Sequence, residues 1–366
     1  MHNLARWGRR FRLPFLSLFT VLLQAQSSFP ALAKQASEAR DANHLDQAAN
    51  LYQKALALRP AWAEGWFSLG TIQYDQNNYQ SADMSFSRAV QADPKVGTPQ
   101  VMLGLCEFEL GHDESALAHL QNGLRLGIAD NPQLRNVALF HEAVLQQRTG
   151  KFEAALQTFY PLCSAGVQSD QLITAISLAA LHLRASDSSV PSVGHAECLA
   201  AQKQFEQART DYRALVQRHP NFPNIHYAFG RFLLLIVHDP AAAIAQFEEE
   251  IKNQPSNPLA RLQIAAAEYQ VDSPAGLPYA EAAVKLDPNI PLGHYLLGLL
   301  LEDTGQDNRA IPELELARKS FPTESGIYYA LGKAYAHAGR TQDAAQARAV
   351  FKRLKDQPGP SLLPAR

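Results

Sequence analysis

Apolar and polar residues alternate along this chain in a way that repeats itself. The segments WFSLGTIQY from Trp66, VMLGLCEFELG from Val101, HYAFGRF from His226, HYLLGLLLEDTG from His294 and GIYYALGKAYAHAGR from Gly326 share one order: a bulky residue, then Leu or Phe, then Gly. In three of them a second Gly stands seven residues after the first. Leu69-Gly70 is followed by Ala82, Phe86, Ala89 and Pro94, and Leu297-Gly298 by Ala310, Leu314, Ala317 and Pro322, at the same offsets. Steps of three and four among these apolar positions are those of one helix face. Each unit therefore predicts two helices joined by a short turn.

The step from Pro60 to Pro94 and from Pro288 to Pro322 is 34 residues, and Pro220, Pro255 and Pro288 keep it to within one. A 34-residue period with this bulky, Leu, Gly, aromatic, Ala, aromatic, Ala, Pro order resembles the tetratricopeptide repeat. The resemblance implies an all-α protein, an α-α superhelix of stacked helical hairpins. Two helices approach closely only where side chains are small, so Gly70, Gly104, Gly230, Gly298 and Gly332 are expected to face Ala82, Ala116, Ala243, Ala310 and Ala344 across each hairpin. The second glycines, Gly111, Gly305 and Gly339, suit a left-handed residue ending the first helix. Proline marks the exit from the second. Trp66, Leu103, Phe229, Leu297 and Leu331 are expected to fill the layer between hairpins.

Approximate repeats run over 29–62, 63–96, 97–130, 136–169, 189–222, 223–256, 257–290, 291–324 and 325–358. The fourth has Ala143 for Gly and Val167 for Pro; the seventh has a shortened turn at Ser273-Pro274. The expected organisation is a signal peptide at 1–33, an N-terminal array at 34–169, an extra helix and connector at 170–188, a C-terminal array at 189–358 and a disordered tail at 359–366. The extra helix is expected over Asp170 to Ala185.

The N-terminus changes the picture. Arg6, Arg9, Arg10 and Arg12 precede the apolar run Phe15 to Leu23, and Ala31-Leu32-Ala33 follows as a small-residue cleavage site. The run is too short to span a bilayer, so the expectation is an exported protein, periplasmic or secreted, cut before Lys34, with no stable membrane insertion afterwards. A net charge of −2 gives no basic field, and no nucleic-acid partner is expected. Of the three cysteines, Cys106, Cys163 and Cys198, at least one must be free; all are read first as small buried hydrophobes, with a Cys163–Cys198 bridge as the alternative.

Motifs of catalysis are missing. The sequence has no GxSxG, HExxH or CxxC, and GIYYALGKA at Gly326 has the wrong glycine spacing for a phosphate loop. His112-Asp113-Glu114 and His141-Glu142 read as helix-start and packing residues rather than metal ligands; His226 and His294 share Trp66's place and read as packing residues; Phe247 to Glu250 reads as a solvated helix face. No catalytic residue, metal or cofactor is expected. What the resemblance implies is a non-enzymatic scaffold that binds a protein or peptide on the concave wall of first helices. There Phe67, Phe140, Tyr227, Tyr295 and Tyr329 follow the bulky position and are candidate partner-binding anchors, with inter-repeat packing as their competing role. The carboxylate clamp of chaperone-binding relatives does not carry over, since its positions hold Thr71, Val144, Arg231, Leu299 and Lys333. The alternative function is a glycan- or peptidoglycan-binding module, using rings beside acids such as Glu302 and Asp303, or an accessory to an envelope hydrolase.

Overall fold

The computed structural model describes residues 28–128, 131–167, 169–184, 190–355 and Leu362. The arginine-rich start, the apolar run, part of the connector and the rest of the tail lie outside these residues. Among the described residues there are nineteen α-helices, one π-helical turn and no strand. The helices pair as α1 Phe29–Asp41 with α2 Leu45–Leu58, α3 Ala63–Asp75 with α4 Tyr79–Ala92, α5 Gly97–Glu109 with α6 Asp113–Leu126, and α7 Pro132–Arg148 with α8 Phe152–Ser164. Then come α9 Asp170–Ala180, α10 Val193–Ala201 and α11 Phe205–Arg218. Four hairpins follow: α12 Ile225–Phe232 with α13 Pro240–Asn253, α14 Pro258–Val271 with α15 Ser273–Leu286, α16 Pro291–Asp303 with α17 Asp307–Ser320, and α18 Ser325–His337 with α19 Thr341–Lys355. First helices of successive hairpins touch one another, α12 with α14, α14 with α16 and α16 with α18, which places them on the inner wall of a solenoid.

The hairpins close as the small-residue pattern requires, but one turn away from the expected partner. A Cβ on Gly70 would lie 2.8 Å from Phe86, on Gly104 2.8 Å from Leu120, on Gly230 2.5 Å from Phe247, and on Gly298 2.6 Å from Leu314. Each partner stands four residues beyond the predicted alanine. Ala82, Ala116, Ala243, Ala310 and Ala344 are all buried, and their small size lets the second helix come near enough for the larger residue one turn on to cover the glycine. In the last hairpin that residue is Arg348, 3.1 Å from the same point on Gly332.

Gly111, Gly305 and Gly339 end their helices with φ of 76°, 71° and 73°. Asn43, Asn77 and Lys203 take the same left-handed cap in hairpins that lack the glycine. A second recurrent device joins consecutive hairpins. Trp66 Nε1 donates to the Pro60 carbonyl at 2.8 Å, His226 Nε2 to Pro220 at 3.0 Å, His294 Nε2 to Pro288 at 2.7 Å, and the Tyr328 hydroxyl to Pro322 at 2.8 Å. The bulky position is thus a packing ring that also carries a donor, which satisfies a carbonyl left open past the preceding helix.

Three expectations need correction. The extra helix stops at Ala180, not Ala185, because the chain turns at His182, whose φ is 56° and whose ring stacks on Phe152. Cys163 in α8 and Cys198 in α10 form a disulfide, with Cα atoms 5.0 Å apart, while Cys106 is free and buried. The bridge spans α9, which lies against α10 where Gly194 packs on the Ile173 carbonyl and donates its N–H to Ser177 Oγ at 2.8 Å. Finally, Phe247 and Glu250 are fully buried rather than solvated. The Glu250 carboxylate caps α12, accepting from the backbone N–H of Asn224 at 2.9 Å and of Tyr227 at 3.2 Å.

Candidate binding groove

Two cavities open on the inner wall. The first, about 700 Å³, is built by α5, α7 and α9 around Phe108, Phe140, His141, Val144, Arg148 and Leu178. The Arg148 guanidinium lies over the Phe108 ring at 4.6 Å, and His141 meets the same ring edge-on at 4.5 Å. Burial pushes the His141 imidazole below its ordinary value, so it presents a neutral ring, held by a 2.8 Å bond to the Val137 carbonyl. The second cavity, about 460 Å³, is built by α12, α14 and α16. Leu234, Leu235, Leu262, Leu292 and Leu296 line it, with Arg231 and Glu153 at one end. The π-helical turn Leu233–Val237 widens the end of α12 and delivers Leu234 and Leu235 to this wall.

The five aromatic candidates do not form one exposed row. Tyr227 and Tyr295 are only 2% and 4% exposed. Tyr227 packs against His182 and Phe247, and its hydroxyl meets Gln263 of the next hairpin at 3.5 Å. The Tyr295 hydroxyl sits where a Cβ on Gly326 of the next hairpin would stand. Phe67 and Phe140 are half-buried, against Phe86 and Phe159. Tyr329 alone of the five is open, 54% exposed, against Phe351 of its own hairpin. The position is an inter-hairpin contact, and Tyr329 is open because no described hairpin follows α19. Of the five, Phe140 lines the first cavity, and Phe67 lines a smaller one of about 360 Å³ with Ala63, Ala89, Val96 and Pro99.

At the end of the second cavity lies a polar cluster, largely buried around Arg231 and Glu197, that sequence reasoning missed. Arg231 is 5% exposed and reaches Glu153 of α8 at 2.7 Å and Glu197 of α10 at 3.9 Å. Glu197 accepts from the hydroxyls of Tyr160 at 2.7 Å and Tyr212 at 2.5 Å. Burial, and then the Glu197 charge, push both phenols well above their usual range. Burial would raise Glu153 as well, but the Arg231 charge and a bond from His182 outweigh it and hold the carboxyl below its ordinary value. The only available signal was Arg231 standing at an inner-wall position.

Glu302, Asp307 and His337 bring one ligand atom each to within 4.8 Å of one another, yet Lys333 Nζ already lies 2.7 Å from Glu302. His112, Asp113 and Glu114 begin α6, and Asp113 pairs with Arg148 at 2.9 Å. Glu142 accepts from Gln121 and Gln146. No helix among the described residues is long and apolar enough to cross a membrane.

The family model for the tetratricopeptide repeat matches residues 33–97, 194–258, 263–325 and 308–357, more than half of the chain. No curated protein matches it. Similar solved structures include a tetratricopeptide repeat protein from Parabacteroides merdae, at 19% identity and a TM-score of 0.35 over 75% of this chain and 98% of that one. MamA from Desulfovibrio magneticus shares 21% identity at a TM-score of 0.41, over 45% of this chain and 94% of that one. YrrB, described as a tetratricopeptide repeat protein with an unusual peptide-binding site, shares 18% at 0.29, over 64% and 91%.

Proposed function

Because the chain belongs to the tetratricopeptide repeat family, we propose that it is a non-enzymatic scaffold holding extended segments of a protein partner in its concave groove, outside the cytoplasm. The observation that carries this is the pair of inner-wall cavities, each assembled from the first helices of three successive elements and each combining apolar walls with a few fixed charges. A peptide suits such a lining better than a sugar does. Sugar stacking needs open rings beside free acids, whereas Tyr295 is covered and Glu302 is buried against Lys333. Export is supported by the arginine-rich start with its apolar run and by the Cys163–Cys198 bridge, which persists in an oxidising compartment. Cleavage before Lys34 would leave Ala36 and Ala39 of α1 to pack on α2.

The test is cross-linking in the native envelope followed by mass spectrometry, on wild type and on Val144→Arg and Leu292→Arg, which place a charge in one cavity each. The expected result is a protein partner lost from at least one variant. Capture unchanged in both variants, or selective binding on a glycan array, would overturn the reading.

A further inference from the structure

We infer that the cavity between the starts of α3 and α5 takes one bulky apolar side chain of a partner segment, with a Lys or Arg beside it reaching Glu64 and Asp93. The inference rests on the concave groove being the binding surface and names the kind of segment held there.

The cavity, about 360 Å³, takes its walls from Phe67 of α3, Ala89 of α4, and Val96 and Pro99 at the start of α5. It is small for a ligand site and admits one aromatic or branched side chain. The matching C-terminal hairpin shows why this junction stays open. Phe67 stands 31 residues before Thr98, as Tyr295 stands 31 before Gly326. The Tyr295 hydroxyl closes the later junction by occupying the space that a Cβ on Gly326 would need. Thr98 has its Cβ and Phe67 has no hydroxyl, so the ring cannot seal this junction in the same way and rests, half-buried, against Phe86. The acids are the second difference. The offset of 228 residues that carries Leu69-Gly70 onto Leu297-Gly298 carries Glu64 onto Leu292 and Asp93 onto Phe321. Both of those later residues pack on their core, whereas Glu64 and Asp93 are exposed and line the cavity. Asp93 Oδ1 accepts the backbone N–H of Lys95 at 3.2 Å, and among the described residues no cation pairs with either carboxylate. The second Asp93 oxygen and the Glu64 carboxylate are left to a cation from outside. An apolar cavity with two such acids complements an apolar residue next to a base and repels one next to an acid.

The experiment uses the full-length chain with 4-fluorophenylalanine at position 67, whose fluorine resonance reports this cavity. The probes are the peptides Gly-Gly-Phe-Lys-Gly-Gly and Gly-Gly-Phe-Glu-Gly-Gly, blocked at both ends. The lysine peptide should move the resonance saturably and bind at least about fivefold more tightly than the glutamate peptide. Glu64→Lys with Asp93→Lys, both at exposed positions, should reverse that order. No saturable shift with either peptide, or the same order in the double variant, would overturn the inference. Capture of the partner in the native envelope separates this inference from the wider reading. A partner lost from Val144→Arg or Leu292→Arg yet held by the double variant leaves the scaffold standing and overturns the inference. A partner lost from the double variant alone, with the peptides as expected, supports the inference and removes the two larger cavities from the binding surface.

Discussion

Arg231 of α12 and Glu153 of α8 meet at 2.7 Å across the joint formed by α9, α10 and α11. Nothing in the repeat template calls for this pair, because it ties together hairpins on either side of an interruption in the repeat. Arg231 also brings its positive charge to within 3.9 Å of the buried Glu197 carboxylate, which otherwise accepts from two tyrosine hydroxyls. Replacing Arg231 by Met should cost about 3–5 kcal/mol, since it leaves a buried charge uncompensated. Denaturant unfolding followed by circular dichroism would measure it, and a loss under 1 kcal/mol would show the cluster to be incidental.

The same pair sets an acid limb of stability. The Glu153 pKa is lowered in the folded chain, so its contribution is complete above its unfolded value near 4.5 and is lost as pH falls through the folded value. Glu153→Gln should therefore lower the melting temperature at neutral pH, where the pair contributes in full, and flatten its decline below about pH 4.5. His119 works in the opposite sense. Its bond to Glu107 at 2.6 Å raises its pKa, with burial opposing, so its contribution is complete below about 6.5 and lost as pH rises through the folded value. His119→Gln should remove that loss, and a melting curve against pH from 6 to 9 would display it.

Much of the fold was legible because a solenoid writes its local rules many times. Gly298 and Ala310 recur with Gly70 and Ala82, so one hairpin predicts the next, and the left-handed caps at Gly111, Gly305 and Gly339 follow from the glycines alone. Polar residues with long-range partners were not legible. Glu250 looked like one of three solvated acids until its place against Asn224 and Tyr227 showed it to be a buried cap. The Cys163–Cys198 pairing depends on how α10 lies across α8, which no periodicity encodes. The groove aromatics were misjudged for a related reason: Tyr227 and Tyr295, after the bulky position, meet the next hairpin rather than solvent.

The bridge offers a direct test of how the joint is held. It closes a loop with a sequence separation of 35 residues, which by chain entropy stabilises the fold by about 3–4 kcal/mol. Reduction, or Cys163→Ser with Cys198→Ser, should lower the melting temperature, and hydrogen exchange should speed up first in α9 and α10. Uniform acceleration along the whole solenoid would count against a local clamp.

The glycines differ in what faces them, and this separates their substitutions. At Gly298 a new Cβ meets the Leu314 Cγ at 2.6 Å and the Leu314 backbone N at 3.2 Å, so Gly298→Val should wedge the hairpin and cost about 1–3 kcal/mol. At Gly332 the nearest atom is the Arg348 Cγ at 3.1 Å, on a flexible side chain that can swing aside. Gly332→Ala should therefore be neutral or stabilise by up to about 1 kcal/mol through helix propensity. Equal losses at both sites would mean that helix–helix distance, rather than the facing residue, sets the tolerance.

Tyr295 and Tyr329 hold the same repeat position in consecutive hairpins, yet one is sealed and the other open. Burial, with the Glu324 charge beside it, pushes the Tyr295 phenol well above its usual range, as expected for a ring closed over by α18. Tyr295→Ala should open a cavity and cost about 3–5 kcal/mol, and Tyr227→Ala a similar amount. Tyr329→Ala removes a half-exposed ring that touches Phe351 and should shift stability by less than about 1 kcal/mol. Thermal unfolding of the three variants decides between an inter-hairpin layer and a row of binding anchors. If Tyr295→Ala and Tyr227→Ala melt like wild type yet release a cross-linked partner, the rings are anchors after all; if both lose stability while Tyr329→Ala does not, position in the stack alone explains which ring stays open.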